Sequence, residues 1–119
     1  MSGPAIDRET LDRLLDITGG DVEFLDELVD TYLEDGHAQV AAMQAGLASG
    51  VVEDLVRPAH TLKSSSANVG ALQLAEACRE LEAAARGGAV DDASGRVTAI
   101  AAAFDAAHDE LLAARAERA

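Results

Sequence analysis

Hydrophobic residues recur at spacings of three and four along most of this chain, which places them on one face of an α-helix. The clearest stripe lies mid-sequence, where the spacing is 4, 3, 4, 3. The strict alternation typical of a half-buried β-strand is not found, so the pattern predicts an all-α protein. The core residues predicted in this way are Leu25, Leu28, Val29, Tyr32, Val40, Met43, Leu47, Leu55, Ala59, Leu62, Ser66, Val69, Leu74, Cys78, Leu81, Ala85, Val97, Ile100, Phe104 and Leu111.

Glycines and turn residues divide the chain into five predicted helices. They cover residues 7–17, with Asp7 as the N-cap, and then about 21–49, 52–69, 71–86 and 91–115. Long amphipathic helices with short connections predict an up-down-up-down four-helix bundle, with the short extra N-terminal helix packed across one end. Residues 1–119 form one domain, since a chain of this length has room for one core.

Three residues predict irregularities within these helices. Gly36 and Gly46 lie inside the second helix, where glycine weakens helical structure, so a bend or break is expected there. Pro58 lacks a backbone N–H group, and it predicts a local kink or a loosened first turn in the third helix.

The charge balance narrows the classes of partner. Acidic residues outnumber basic ones by 22 to 9, for a formal net charge of −13. Such a chain repels phosphate backbones and anionic lipids, so neither nucleic acid nor a membrane is expected as a partner. A lone cysteine and the absence of a signal-peptide pattern are typical of a cytoplasmic protein. No nucleotide-binding loop or metal-ligand spacing occurs, so no cofactor is expected.

The stretch AHTLKSSSANVGA, residues 59–71, carries the candidate chemistry. It contains His60 and, three residues later, Lys63, which is the only lysine of the chain. If the hydrophobic stripe faces the core, His60 lies roughly 140° from the centre of the stripe and faces solvent, with Lys63 beside it. Ser64 and Ala67 are small, so the imidazole is predicted to be accessible to a large partner.

The surroundings of His60 are predicted to be cationic. No acidic residue occurs between Asp54 and Glu76, where Arg57 and Lys63 are the only charges. A neutral imidazole is a nucleophile near pH 7, and a neighbouring lysine can neutralise a phosphoryl group. These residues therefore suit a site that accepts and passes on a phosphoryl group. A solvated helix face without function gives the same pattern, and the acid-free interval disfavours a Ser-His-Asp triad without excluding it.

The same stretch resembles the signature of the histidine-containing phosphotransfer (HPt) domain, broadly H-x-L-K-G followed by small residues and a glycine. The segments FLDELVDTYLED and LAEACRELEAAAR resemble the helices on either side of the family's active helix, so the resemblance covers roughly residues 21–87. One departure is Ser64, which stands where the family commonly has glycine. Its hydroxyl is expected to bond the His60 carbonyl or the ring, which leaves the orientation of the ring open.

The resemblance implies a four-helix bundle that relays phosphoryl groups between receiver-domain aspartates in two-component signalling, without enzymatic activity of its own. His60 would be the phosphoacceptor, Lys63 would assist the phosphoryl group, and Gly70 would end the active helix. The partners would be receiver domains of response regulators or hybrid histidine kinases. Any Mg²⁺ would belong to the receiver, and this chain would be a monomer. The expected receiver contacts are Val56, Arg57, Ser64, Ala67 and Asn68.

Two other functions remain open at this point. One is an adaptor bundle that binds receivers or kinases without carrying phosphate, although mere binding does not need the pair of His60 and Lys63. The other is the phosphoacceptor domain of a chemotaxis-type histidine kinase. His37 and His108 are predicted to be surface or boundary residues without a partner motif.

Overall fold

The computed structural model describes residues 4–118 and contains helices but no β-strand within that range. The helices are α1 (Arg8–Ile17), α2 (Val22–Ser49), α3 (Val56–Val69), α4 (Leu72–Arg86) and α5 (Ala93–Arg118), with a 3₁₀ turn at Val52–Leu55. The predicted all-α fold is confirmed. No helix within the described range is both long enough and apolar enough to cross a bilayer.

The four longer helices form an up-down-up-down bundle. α2 packs against α3 and α5, and α4 packs against the same two helices, while the short α1 lies against α2 and α3. The predicted stripes form the core, except that Leu28 and Leu47 are only half-buried. On the outer face of α3, His60, Ser64 and Ala67 are exposed, so no neighbouring helix covers them.

Two glycines of α2 make room for core side chains. A bend or a break was expected at both positions; α2 is continuous through them, so the break does not occur. A Cβ atom at Gly36 would overlap the ring of Phe104, and one at Gly46 would lie 3.0 Å from a methyl carbon of Leu55. Close approach of neighbouring elements accounts for glycine at these positions.

Pro58 lies near the start of a helix that is shorter than predicted. The 3₁₀ turn replaces the first turn of the expected helix, and α3 begins only at Val56. Pro58 is therefore in the first turn of α3, where backbone N–H groups have no partner within the helix. The loosened first turn is present as the 3₁₀ turn, and the proline breaks no interior hydrogen bond.

The end of α3 is tied to the start of α1. Gly70 follows α3 with φ +90°, a conformation that glycine adopts without strain. The backbone N–H of Asp7 donates to the Gly70 carbonyl oxygen at 2.8 Å, and a Cβ atom at Gly70 would lie 2.7 Å from the carbonyl oxygen of Asp7. The Asp7 carboxylate accepts from the Thr10 hydroxyl at 2.6 Å and caps no backbone N–H group of α1.

Candidate functional site

His60 lies on the outer face of α3. Ala59, Leu62 and Ser66 on the same helix are fully buried, which turns the position of His60 outward. The His60 side chain is 55% exposed, so its ring is open to a partner. The orientation expected from helical periodicity is the one observed.

A carboxylate from α4 meets this ring. His60 Nδ1 lies 2.9 Å from Glu82 Oε2, and Lys63 Nζ donates to Glu82 Oε1 at 2.6 Å. Arg86 donates to Glu82 Oε2 from both Nε (3.0 Å) and Nη2 (2.8 Å). The Glu82 side chain is only 7% exposed, so a nearly buried anion joins three basic side chains.

Glu82 is ionised in this setting. The hydrogen bond from Lys63 is the largest cause that lowers its pKa, and the bonds from Arg86 and His60 lower it further. Burial acts in the opposite direction because it disfavours the charged form. The basic partners prevail, and the pKa of Glu82 falls from its ordinary 4.5 to about 2.

The ionised carboxylate determines the form of the imidazole. A carboxylate only accepts hydrogen bonds, so His60 Nδ1 must carry the proton and donate it to Glu82 Oε2. In the neutral ring, Nε2 then holds the free lone pair. His60 therefore offers Nε2 as a nucleophile, while the hydrogen bond from Nδ1 to Glu82 holds the ring in place.

The structure changes two expectations about the surroundings of His60. The interval without acidic residues is not acid-free in space, because α4 brings Glu82 into contact with the ring. Among residues 4–118, no side-chain hydrogen bond of Ser64 is found; Ser65 instead donates to the carbonyl oxygen of Thr61. Glu82, and not Ser64, orients the imidazole.

The residues predicted to contact a partner are mostly exposed. Arg57, Ser64, Ala67 and Asn68 all lie on the surface of α3. Val56 is half-buried and packs against the core, so only part of its side chain faces solvent. The four exposed residues lie on the same helix as His60, whereas Val56 contributes mainly to packing.

An open, largely apolar groove runs beside this surface. It lies between α1, α2 and α3, and two of its lining residues, Ala67 and Asn68, are also among the predicted contacts. Leu14 and Ile17 of α1 form part of its wall, and Ile17 is 80% exposed. The surface around His60 therefore continues into an apolar groove.

Cys78 and His37 are less suited to chemistry than His60. Cys78 is buried, and burial raises the pKa of its thiol to about 12, so the reactive thiolate is disfavoured. His37 stacks edge-on against Phe104 and against His108, with ring centroids 5.1 and 5.9 Å apart. No group of three or more metal-binding side chains occurs within the described part of the chain.

Glu82 and Arg86 are the site residues that sequence reasoning missed. The usable signal was the position of Glu82 relative to the core stripe of α4. It lies about 70° from the centre of that stripe, whereas Glu76 and Glu80 lie more than about 120° away. An acid at the edge of a core stripe is a candidate for contact with the neighbouring helix, and Arg86 follows it by one turn.

Known proteins share this fold and this sequence pattern. A family model described as "Hpt domain" matches residues 27–114, which include His60, Lys63 and Glu82. The chain is similar to the crystal structure of histidine-containing phosphotransfer protein B (HptB) from Pseudomonas aeruginosa PAO1, with a TM-score of 0.88 and 28% sequence identity. That match covers 98% of each chain. No curated protein matches the chain by sequence.

Proposed function

Because this chain belongs to the Hpt domain family and is thus a phosphorelay histidine-phosphotransfer protein, we propose that His60 is the residue that carries the phosphoryl group. It accepts the group from the phosphorylated aspartate of one receiver domain and passes it to the aspartate of another. The observation that carries this proposal is the exposed His60 ring, whose Nδ1 is held by an ionised carboxylate.

The transfer begins with attack by His60 Nε2 on the phosphorus of the aspartyl phosphate. An N–P bond forms while the P–O bond to the receiver's aspartate breaks, and the electron pair of that bond leaves with the aspartate carboxylate. The imidazole becomes positively charged because its proton stays on Nδ1. Glu82 faces that proton and stabilises the positive ring, as a buried carboxylate does behind a catalytic histidine. Transfer to the next receiver reverses these changes.

Lys63 neutralises the phosphoryl oxygens in this proposal. Its ammonium group has three N–H donors and uses one of them on Glu82 Oε1. The others are free to meet an anion beside His60, and the side chain is 29% exposed and therefore reachable. The magnesium ion that supports the reaction belongs to the receiver, and this chain needs no cofactor of its own.

The receiver docks on the outer face of α3. Arg57, Ser64, Ala67 and Asn68 surround His60 with mostly small side chains, which leave room for a protein surface. The apolar groove beside them extends the contact toward α1. Because exposed apolar patches on small domains commonly mark binding surfaces, we place the apolar part of the receiver interface in this groove.

A transfer experiment tests the phosphoacceptor. Purified receiver domains are phosphorylated with radiolabelled acetyl phosphate and Mg²⁺, freed of excess reagent and mixed with the chain. We expect an acid-labile, base-stable label on this protein, because N–P bonds have that stability. His60→Gln should take no label, while His37→Gln and His108→Gln should be labelled as the wild type is.

The adaptor alternative predicts the opposite pattern. An adaptor would bind a receiver, as measured by calorimetry, and take no label from any of them. Equal labelling of the His60→Gln variant would also refute the proposal, since the phosphoryl group would then be carried elsewhere. A fall in melting temperature measured by circular dichroism would identify variants that lose label through unfolding.

A further inference from the structure

Glu82 carries a single negative charge but bonds two cationic side chains, Lys63 and Arg86, in addition to His60. Lys63 occupies Oε1, whereas His60 Nδ1 and the guanidinium of Arg86 share Oε2. Arg86 belongs to the same helix as Glu82, one turn later, and its side chain is 59% exposed. Because it bonds the very oxygen that the imidazole uses, Arg86 can affect His60 without contacting it.

We propose that Arg86 is a positioning residue that keeps Glu82 ionised and aimed at His60 while Lys63 serves the phosphoryl group. This inference rests on the proposed function of His60. It assigns a role in the transfer to a residue of α4 that lies outside the sequence signature.

The need for such a residue follows from the change in charge during transfer. Lys63 is the largest cause of the lowered pKa of Glu82 in the structure. When a phosphoryl group arrives at His60 Nε2, its negative oxygens compete for the same ammonium group. If Lys63 alone held Glu82, the nearly buried carboxylate would lose its main partner just when the ring becomes positive.

Arg86 is suited to hold the carboxylate at that moment. Its Nε and Nη2 groups both donate to Glu82 Oε2, and guanidinium stays protonated at any physiological pH. The two bonds come from the same helix, so they do not depend on α3 or on the bound partner. Glu82 therefore stays ionised and in place, and His60 Nδ1 keeps its acceptor in both states.

Labelling by radiolabelled phosphoramidate tests this role without a receiver. This small compound transfers its phosphoryl group to an accessible imidazole: the N–P bond forms at Nε2, and ammonia leaves with the electron pair of the original P–N bond. We expect Arg86→Gln to slow labelling about threefold to tenfold, because two charge-assisted bonds from an exposed side chain are lost. ¹⁵N chemical shifts of His60 should show less of the Nδ1–H form in this variant.

Arg79→Gln is the matched control. Arg79 lies on the same helix, is similarly exposed and bonds a glutamate three residues away, but that glutamate, Glu76, faces solvent. Its removal changes the net charge equally, so labelling should stay within about twofold of the wild-type rate. Circular dichroism melts of both variants show whether folding is preserved.

A double-mutant cycle separates action through Glu82 from direct action on the phosphoryl group. If Arg86 acts through Glu82, the Glu82→Gln/Arg86→Gln variant is labelled no more slowly than Glu82→Gln alone. If Arg86→Gln slows labelling by the same factor in the Glu82→Gln background, the inference is wrong. It is equally wrong if Arg86→Gln matches Arg79→Gln in both labelling rate and ¹⁵N shifts.

The two proposals fail in different ways. A wild-type chain that phosphoramidate does not label at His60 overturns the proposed function. Normal labelling of the wild type, together with an unaffected Arg86→Gln variant, overturns only the role of Arg86.

Discussion

His60 and His37 are both exposed histidines on long helices, but their rings have different partners. His60 bonds an ionised carboxylate that is nearly buried, and that carboxylate is shared with Lys63 and Arg86. His37 lies edge-on against the ring of Phe104 and beside His108. The first contact fixes where the proton is, whereas the second is an aromatic contact that leaves both ring nitrogens without a charged acceptor among residues 4–118.

The difference shows why an exposed imidazole alone is a poor indicator of function. Both residues are exposed, His60 on α3 and His37 on α2. Of these two, His60 is the one with a carboxylate partner that selects one protonated nitrogen and can stabilise a positive ring. What distinguishes the candidate phosphoacceptor is the group behind the ring, and that group is contributed by another helix.

Removing the Glu82 carboxylate should have the largest effect, because it takes away the partner that His60 has and His37 lacks. In Glu82→Ala, His60 Nδ1 loses its acceptor and the positive ring loses its counter-ion. We expect phosphoramidate labelling to slow about tenfold to a hundredfold, at or below the low end of the roughly hundredfold to thousandfold cost of losing a preorganised electrostatic contact. The rate is measured from radiolabel incorporation. His37→Gln should stay within about twofold of the wild-type labelling rate. An equal loss in both variants would mean that the carboxylate behind His60 does not distinguish it from His37.

A change beside Phe104, the ring that His37 contacts, should lower the free energy of unfolding and leave the labelling rate of His60 unchanged. Gly36→Ala gains up to about 1 kcal/mol of helix propensity. Its Cβ atom would overlap the Phe104 ring, which is buried and cannot move away freely, and such overpacking typically costs about 1–3 kcal/mol. We expect a net loss of roughly 1–2 kcal/mol in unfolding free energy, measured by urea denaturation, with an unchanged labelling rate at 20 °C.

Gly46→Ala is the control for that substitution. Its Cβ atom would lie 3.0 Å from the end of the Leu55 side chain and at ordinary contact distance, 3.4 Å, from the Asp54 carbonyl oxygen, so helix propensity should offset these contacts. A Gly46→Ala variant as unstable as Gly36→Ala would show that the Phe104 contact is not the cause.

The pH dependence of stability tests the charge state of Glu82. The pKa of Glu82 is lowered in the folded state, so the unfolded chain takes up the proton more readily. The carboxylate therefore adds stability above its ordinary pKa of 4.5, and this contribution disappears as the pH falls toward 2. Unfolding free energies measured across that interval should decline less in Glu82→Gln than in the wild type. Parallel curves would mean that Glu82 is not held as an anion.

Much of the fold could be predicted from the sequence because helix faces follow from spacing alone. The stripe of Leu55, Ala59 and Leu62 is buried as expected, and the outward position of His60 follows from it. A bend or a break was expected at Gly36, and of these the break does not occur, since propensity describes an isolated helix and Phe104 approaches from a distant part of the chain.

The inner half of the candidate site could not be predicted in the same way. Lys63 lies one turn from His60, so local geometry relates them. Glu82 is 22 residues away from His60, and its contact depends on how α4 is rotated and shifted against α3. Three glutamates are available on α4, and only inter-helix packing selects the one that reaches the imidazole.

One further consequence concerns Gly70. Its carbonyl oxygen accepts a hydrogen bond from the Asp7 N–H group, and its lack of a side chain lets the backbone at Asp7 come close. Two boundaries meet at this residue, the last turn of one helix and the entry to another. A bulkier residue there would push the first helix outward, and Leu14 and Ile17 would move with it. The shape of the apolar groove would then depend on a position that is not part of its lining.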